Sequence, residues 1–345
     1  MKIRPLALVG AVILLLFLAY TAWWASAAAR LRVWVQDWVE TQRAAGAKLD
    51  YAGLEIGGFP LELRAHAREI TLVLPDGTAW SARALHAASV PWEPLTIHLK
   101  MPSSQHLFLP AAGARPPLDM TARTATGTLD LSPAGALRSA RLWLEAPTLG
   151  IGGGTDTDMA GLLTAATLNL TLDRPETPPA THADAGLFLT LELSKMGLPD
   201  DAPLDRTLEH MSIDLRIMGS PPESLEAQAV RAWSESGGII ELDRFAADWG
   251  QMNLTGNATL ALDGALQPMG AGTAYIRGFD RAVDALADVG NLRPNEAAMA
   301  KAALGMLAQP GPDGVPTVQA PVSLQDRRLS IGPLIIARLP PIEWE

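Results

Sequence analysis

The stretch "GLEIGGFPLELRAHAREITLVLPDG", residues 53–77, alternates apolar and polar residues as a half-buried strand does, yet its phase slips twice. Leu54 and Ile56 are apolar at even positions. After Gly57 and Gly58 the apolar set moves to Phe59, Leu61, Leu63, Ala65 and Ala67, and after Arg68 and Glu69 it returns to Ile70, Leu72 and Leu74. A one-residue shift turns every side chain to the opposite face unless an extra residue or a kink absorbs it. The stretch therefore predicts a strand that bends at 57–58 and again at 68–69 while one face stays apolar. Pro60 lacks an amide donor and suits a strand start or edge.

The same period recurs along the chain. Leu95, Ile97, Leu99 and Met101 alternate, as do Leu142, Leu144 and Ala146, then Leu168, Leu170 and Leu172, then Leu187, Leu189, Leu191 and Leu193. Met211, Ile213, Leu215 and Ile217 follow, and later Ala258, Leu260 and Leu262. Thr, Asp, Glu, Arg, Asn and Ser lie between them, the pattern of antiparallel sheet with one apolar and one wet face. Turn signals separate the runs: Pro-Asp-Gly at 75, Ser-Pro-Ala-Gly at 132, Leu-Asp-Gly at 262 and Gly-Pro-Asp-Gly at 311. Segments 127–145, 257–278 and 320–338 resemble one another as successive hairpins do.

Few helices are expected in this body. Ser220-Pro-Pro-Glu223 reads as a capping box opening a helix to about residue 235. Residues 280–308 read as two helices, broken at Gly290 and restarted near Pro294. Asp200 and Asp201 suit a solvated turn opening a short helix. A dozen strands roughly 4.8 Å apart make a sheet that three helices about 10 Å wide do not cover. The fold class is thus mainly β, a curved antiparallel sheet closing on itself as a half-tube or against a second sheet as a sandwich.

Residues 6–25 form a run of twenty without a charge, long enough at about 1.5 Å per residue to cross a bilayer core. Lys2 and Arg4 precede it, which favours a cytoplasmic N-terminus. The length favours a retained anchor over a cleaved signal with Ala25-Ser26-Ala27 as its site. Leu31, Trp34, Val35 and Trp38 continue on one helical stripe up to Gly46, which suits a helix stop, and the two tryptophans are expected to pack on the body, with lipid-headgroup contact as the alternative. The expected organisation is a cytoplasmic tail 1–5, an inner-membrane anchor 6–28, an amphipathic stalk 30–46 and a periplasmic β-rich body 47–345.

Composition narrows the function classes. The 345 residues are 48% hydrophobic and 19% charged, which marks a folded chain, and the net charge of −10 with scattered basic residues argues against nucleic acid. The chain has no cysteine, so disulfides, thiolate metal sites and cysteine nucleophiles are out. The six histidines at 66, 86, 98, 106, 182 and 210 show no metal-ligand spacing. The Gly-rich "GIGGGTDTD" at 150–158 lacks the Walker lysine and the third dinucleotide glycine, and Asp156 and Asp158 lack a spaced glutamate for calcium. No serine sits in a G-x-S-x-G elbow. Trp92, Trp249 and Trp344 end or follow apolar runs and read as core. No metal, no cofactor and no enzymatic activity are expected.

"GLEIGGFPLELRA", "DGTAWSARALHA", "VPWEPLTIHL", "GGIIELDRFAADWG" and the closing "LSIGPLIIARLPPIEW" resemble segments of the domain-of-unknown-function 2125 family, uncharacterised alphaproteobacterial envelope proteins. Gly58, Phe59, Pro60, Trp92, Trp249, Gly332 and Pro333 are the structural positions of those motifs. More remotely, an anchor followed by Gly-Phe-Pro and repeated hairpins is similar to AsmA-type envelope proteins. That resemblance implies a half-tube with an apolar trough for lipid acyl chains, although this body is far too short to bridge two membranes. Leu61, Leu63, Leu168, Leu170, Leu172, Leu189, Leu191 and Leu193 are the candidate lipid-facing residues. The expected role is lipid binding or scaffolding of envelope proteins at the inner membrane. The alternative is a protein-binding periplasmic adaptor with a closed sandwich and no ligand.

Overall fold

A computed structural model describes residues 5–344, apart from 112–115, 152–162, 199–201, 203, 223, 225, 289–292, 312–313 and 333. Asp156, Asp158, Asp200, Asp201, Glu223, Gly290 and Pro333 lie outside the described residues.

Helix α1 (Pro5–Ala44) is continuous through the apolar run and the amphipathic stretch. By length and composition it is able to cross a membrane. Gly46 ends it as expected, at φ +93°, its amide bonding to the Arg43 carbonyl at 3.0 Å. Then come β1 (Lys48–Asp50), β2 (Gly53–Gly57), β3 (Leu63–Val73), β4 (Ala79–Val90), β5 (Glu93–Met101), β6 (Gln105–Leu109), β7 (Leu118–Ala122), β8 (Thr124–Leu131), β9 (Leu137–Glu145) and β10 (Thr148–Ile151). They are followed by β11 (Leu163–Thr164), β12 (Thr167–Asp173), β13 (Ala185–Gly197), β14 (Thr207–Met218), α2 (Ala227–Glu235), β15 (Ile240–Trp249), β16 (Met252–Leu262) and β17 (Pro268–Arg277). The chain closes with α3 (Phe279–Asp288), α4 (Pro294–Leu307), β18 (Ala308–Pro310), β19 (Pro316–Gln325), β20 (Arg328–Ile331) and β21 (Leu334–Arg338).

The 21 strands of the described residues join one antiparallel sheet. β1 and β2 lie end to end along β3, and β4 joins β3 to β5 and β6. These pair with β8 and β7, which pair with β9 and β10, then β12 and β11, and then β13. From β13 the order is β14, β15, β16, β17, β19, β20 and β21, with β18 beside β19. Among the described residues β2 and β21 each have one strand neighbour, so the sheet is open. Among the described residues the strands form one hydrogen-bonded sheet, with no second, separately bonded sheet facing it.

The two phase slips have different origins. Gly57 ends β2 and Gly58 begins the turn into β3, so the first slip is a hairpin reversal, not a bend within one strand. The second is a true crease. Glu69 has φ +48°, and β3–β4 pairing keeps its register from Arg68↔Ala84 to Ile70↔Ala82. Both strands change phase together: Ala65 and Ala67 give way to Ile70 and Leu72, as Ala87 and Leu85 give way to Ala82 and Trp80. The same break crosses the following strands at 102–104, Arg123, Ala146-Pro147, 165–166 and Lys195, with left-handed φ again at Ala146 (+46°) and Lys195 (+48°). Hydrogen bonds carry the sheet through it, from the Ala146 amide to Ala166 O at 2.8 Å and from the Ala166 amide to Ser194 O at 2.9 Å.

Where the apolar face folds, Ala82, Ala122 and Ala125 are buried beside Ile70, which pairs with Ala82. The buried Gln105 amide ties the kink by donating to Ser103 O at 2.8 Å. Lys195→Gly should leave the melting temperature unchanged or raise it, because glycine removes a left-handed cost of about 1 kcal/mol. Glu192→Gly in the same strand should lower it. Equal loss in thermal melts of both variants would refute the crease as a strained line.

Three short helices cover parts of the sheet. α2 starts at Ala227, not at Pro221: Glu226 is its N-cap and makes no side-chain cap bond, so Ser220 does not open the helix. Its buried Val230 and Trp233 close the strand end near Met218, whose carbonyl accepts from Trp233 Nε1 at 3.2 Å. α3 and α4 form the expected pair and pack on β16 and β19. Val283, Ala297 and the fully buried Val318 mark that seam. The short helix expected after Asp200 and Asp201 does not form among the described residues of 202–210: strand β14 already starts at Thr207 and runs on into the alternation of Met211–Ile217.

Candidate functional site

Cross-strand register places the leucines on one face. Leu142, Leu170, Leu191, Ile213 and Phe245 are successive partners from β9 to β15. Leu144, Leu168, Leu193 and Met211 form the adjoining row, and Ala140, Leu172, Leu189 and Leu215 a third. All six candidate leucines of β12 and β13 are half-buried. The helices lie at the borders of this face: α1 over β1–β4, and α3 and α4 over β16 and β19. Between those borders the aliphatic rows stay partly exposed over several strands. Large contiguous apolar surface of this kind marks a binding or membrane surface.

The face begins in a cavity. Val35, Trp38 and Val39 of α1 stand over Leu54, Ala67, Ile70, Leu72, Trp80 and Leu85 and leave a space of about 220 Å³ lined almost wholly by carbon. An apolar cavity of about 150 Å³ already suffices to hold a benzene ring. Ala87, also at this cavity, pairs with Leu99, which pairs with Gly127 opposite Leu142, so cavity and leucine rows are continuous. Trp38 lines this cavity from α1 while remaining 42% exposed, and Trp34 is 63% exposed.

The opposite face is polar and carries a larger hollow, about 1000 Å³. One row across it runs Glu55, His66, His86, Lys100, Thr126, Trp143, Asn169 and Glu192. Arg64, Lys100 and Arg141 bring positive charge to the hollow, and Glu62 and Glu192 negative charge. The rings of His66 and His86 stack with centroids 4.1 Å apart. Hydroxyl–carboxylate bonds knit this face: Asp130 accepts from Ser139 Oγ at 2.6 Å and Thr96 Oγ1 at 2.8 Å, and these bonds lower its pKa.

Burial, then His66, Arg64 and Lys100, push the His86 pKa below its ordinary 6.5. A depressed pKa means that the folded state keeps His86 neutral. Its contribution to stability is therefore complete above about pH 6.5 and is lost as pH falls toward the folded value. His86→Gln should flatten the fall in melting temperature between about pH 7.5 and about pH 5; an unchanged profile would show that the stacked pair does not cause it.

The motif residues separate into distinct places. Phe59 packs edge-on against Phe17 and Trp24 of α1 and lies beside Tyr20, with ring centroids 6.2, 5.5 and 6.2 Å away. Trp24 Nε1 donates to Glu62 O at 3.0 Å, and the Tyr20 hydroxyl donates to Pro60 O. Gly58, at φ +101°, permits the turn that makes these contacts. Leu61 lies in the turn itself and is 66% exposed, away from the leucine rows, which corrects its assignment to the trough; Leu63 is half-buried at the start of β3. Trp92 is no core residue: it is 66% exposed in the β4–β5 turn. Trp249 bonds through Nε1 to Asp205 O at 2.7 Å and Trp344 to Leu266 O at 2.9 Å, so both pack locally. Gly332 turns β20 into β21 at φ +55°.

The docking of the Gly-Phe-Pro turn on α1 was not legible in the chain. Trp23 and Trp24 fall where a membrane-belt pair would lie, and nothing local pairs Tyr20 or Trp24 with residues some forty positions away. Among the described residues no group of three or more His, Asp or Glu is placed to hold a metal ion. Neither the curated proteins nor the solved structures contain a match to this chain. Residues 24–340 match the DUF2125 family, described as an uncharacterized protein conserved in bacteria, and the chain belongs to that family.

Proposed function

We propose that this protein is a non-enzymatic, membrane-anchored bacterial envelope protein that holds lipid acyl chains on the apolar face of its sheet, with its body in the periplasm. One observation carries the reading: aliphatic rows cross β9, β12, β13 and β14, half-buried and flanked by helices, and join through Leu99 and Gly127 to the cavity beneath α1. A sealed core would bury those leucines as completely as Val318 is buried. Acyl chains match such a surface because they bury apolar area, about 0.8 kcal/mol per methylene, and ask for no hydrogen bonds. Lys2 and Arg4 ahead of the uncharged run support a cytoplasmic N-terminus. The open leucine face is also the feature that a half-tube lipid carrier of the AsmA type needs.

Mass spectrometry of lipids carried by the full-length protein after detergent extraction and extensive washing tests the reading. Lipid in defined stoichiometry is expected, and a lipid-free protein would refute it. A reporter fused after Glu345 tests orientation separately. It should be active only as an exported fusion, and activity in the cytoplasm would exclude a periplasmic body.

A further inference from the structure

We infer that the turns at the first edge of the sheet enter the outer leaflet of the bilayer, so that the body stands on the membrane by its strand ends; this rests on the proposed spanning role of α1. The argument is one of lengths. Crossing the hydrocarbon core takes about 30 Å of helix, or about 20 residues. Charges at Lys2 and Arg4 put the start of the span no earlier than Pro5. Yet the Gly58–Glu62 turn is already bonded to α1 at Tyr20 and Trp24. From Leu6 to Tyr20 the helix rises only about 21 Å, so the turn meets it below the far boundary of the core, and any tilt deepens the turn further.

The turn is made for that depth. Irregular backbone in lipid is tolerated only where its polar groups are satisfied within the protein. Here the Pro60 and Glu62 carbonyls accept from the Tyr20 hydroxyl and the Trp24 indole. The Glu62 amide bonds back to Gly58 O at 3.1 Å. What the turn exposes is apolar: Phe59 at 42% and Leu61 at 66%. Arg64 pairs with the Glu62 carboxylate and sits two residues up the strand, within reach of lipid phosphates.

The neighbouring turn repeats the chemistry. Leu63 pairs with Ser89, and Val90 pairs with Glu93, so the Pro91-Trp92 turn is beside the first at the same strand end. It exposes Trp92, a residue suited by its apolar body and single donor to the bilayer interface. The opposite end of β3, some eleven residues away, turns through Pro75, Asp76, Gly77 and Thr78 and carries no such residue.

Because the chain has no cysteine, single-cysteine variants of the full protein carry one spin label each. In vesicles of mixed zwitterionic and anionic phospholipid, collision with oxygen is compared with collision with a water-soluble nickel chelate at four sites. Leu61→Cys and Trp92→Cys should give ratios like Leu14→Cys in the apolar run and several-fold above Thr78→Cys. Both tip residues are exposed, so the substitutions leave the packing intact. An aqueous ratio at either tip, with Leu14→Cys in lipid, would overturn the inference and leave the anchor standing. An aqueous ratio at Leu14→Cys would refute the spanning helix and this inference with it.

Discussion

Leu170→Asp and Leu191→Asp are expected to leave the sheet folded and to abolish lipid co-purification. The two residues are direct partners across β12 and β13 at the centre of the leucine rows, and both are half-buried. Water reaches a carboxylate at such a site, so it remains solvated, and the main loss is part of one leucine's apolar burial, about 1–2 kcal/mol. An acyl chain lying on the rows would have to desolvate that charge, which costs more than its methylene contacts return. Val318→Asp sets the scale for a sealed position: Val318 is 0% exposed, and an unpaired carboxylate there should unfold the β19 end of the body. Circular dichroism, thermal melting and lipid mass spectrometry on the three variants separate the cases. If Leu170→Asp and Leu191→Asp both unfold and the parent carries no lipid, the face is a closed core and the lipid reading fails.

Gly58→Val should destabilise the body by about 2–4 kcal/mol, whereas Gly57→Val should be within about 0.5 kcal/mol of the parent. Adjacent in sequence, the two glycines have different surroundings. A Cβ on Gly58 would stand 2.7 Å from Glu62 O, on a backbone at φ +101° that a β-branched residue resists. A Cβ on Gly57 meets nothing within 4 Å and lies in a strand, where valine is favoured. Since Glu62 O also receives the Trp24 indole, Gly58→Val should weaken the seat of α1 on the sheet. Chemical denaturation of the full chain in detergent, followed by tryptophan fluorescence, measures both variants. Equal effects would show that the turn is not under the constraint seen here.

Period-two alternation made the sheet legible because each strand has one face against apolar neighbours and one in water, and that difference is written locally. Leu168–Leu172 and Leu187–Leu193 fall in β12 and β13 for this reason. The paired helices near 280 and 300 were legible from period and from Pro294. The helix at 220 was misplaced because a Ser-Pro-Pro start satisfies local capping rules, while the actual start follows from docking Val230 and Trp233 against the strand ends.

The sequence by itself determined a mainly β chain with an apolar N-terminal helix and one greasy face kept through phase slips. Tertiary structure decided what those slips are. The slip at Gly57-Gly58 is a hairpin turn seated on α1, and the slip at Glu69 belongs to a crease shared with strands up to β13. It also decided that, among the described residues, helices α1, α3 and α4 seat on the borders of the greasy face, and that Trp92 is exposed and not buried. The physical reason is range. Alternation records the environment of each residue against its immediate surroundings, whereas a crease, an uncovered face and a turn bonded to a distant helix depend on partners that register brings together across tens of residues.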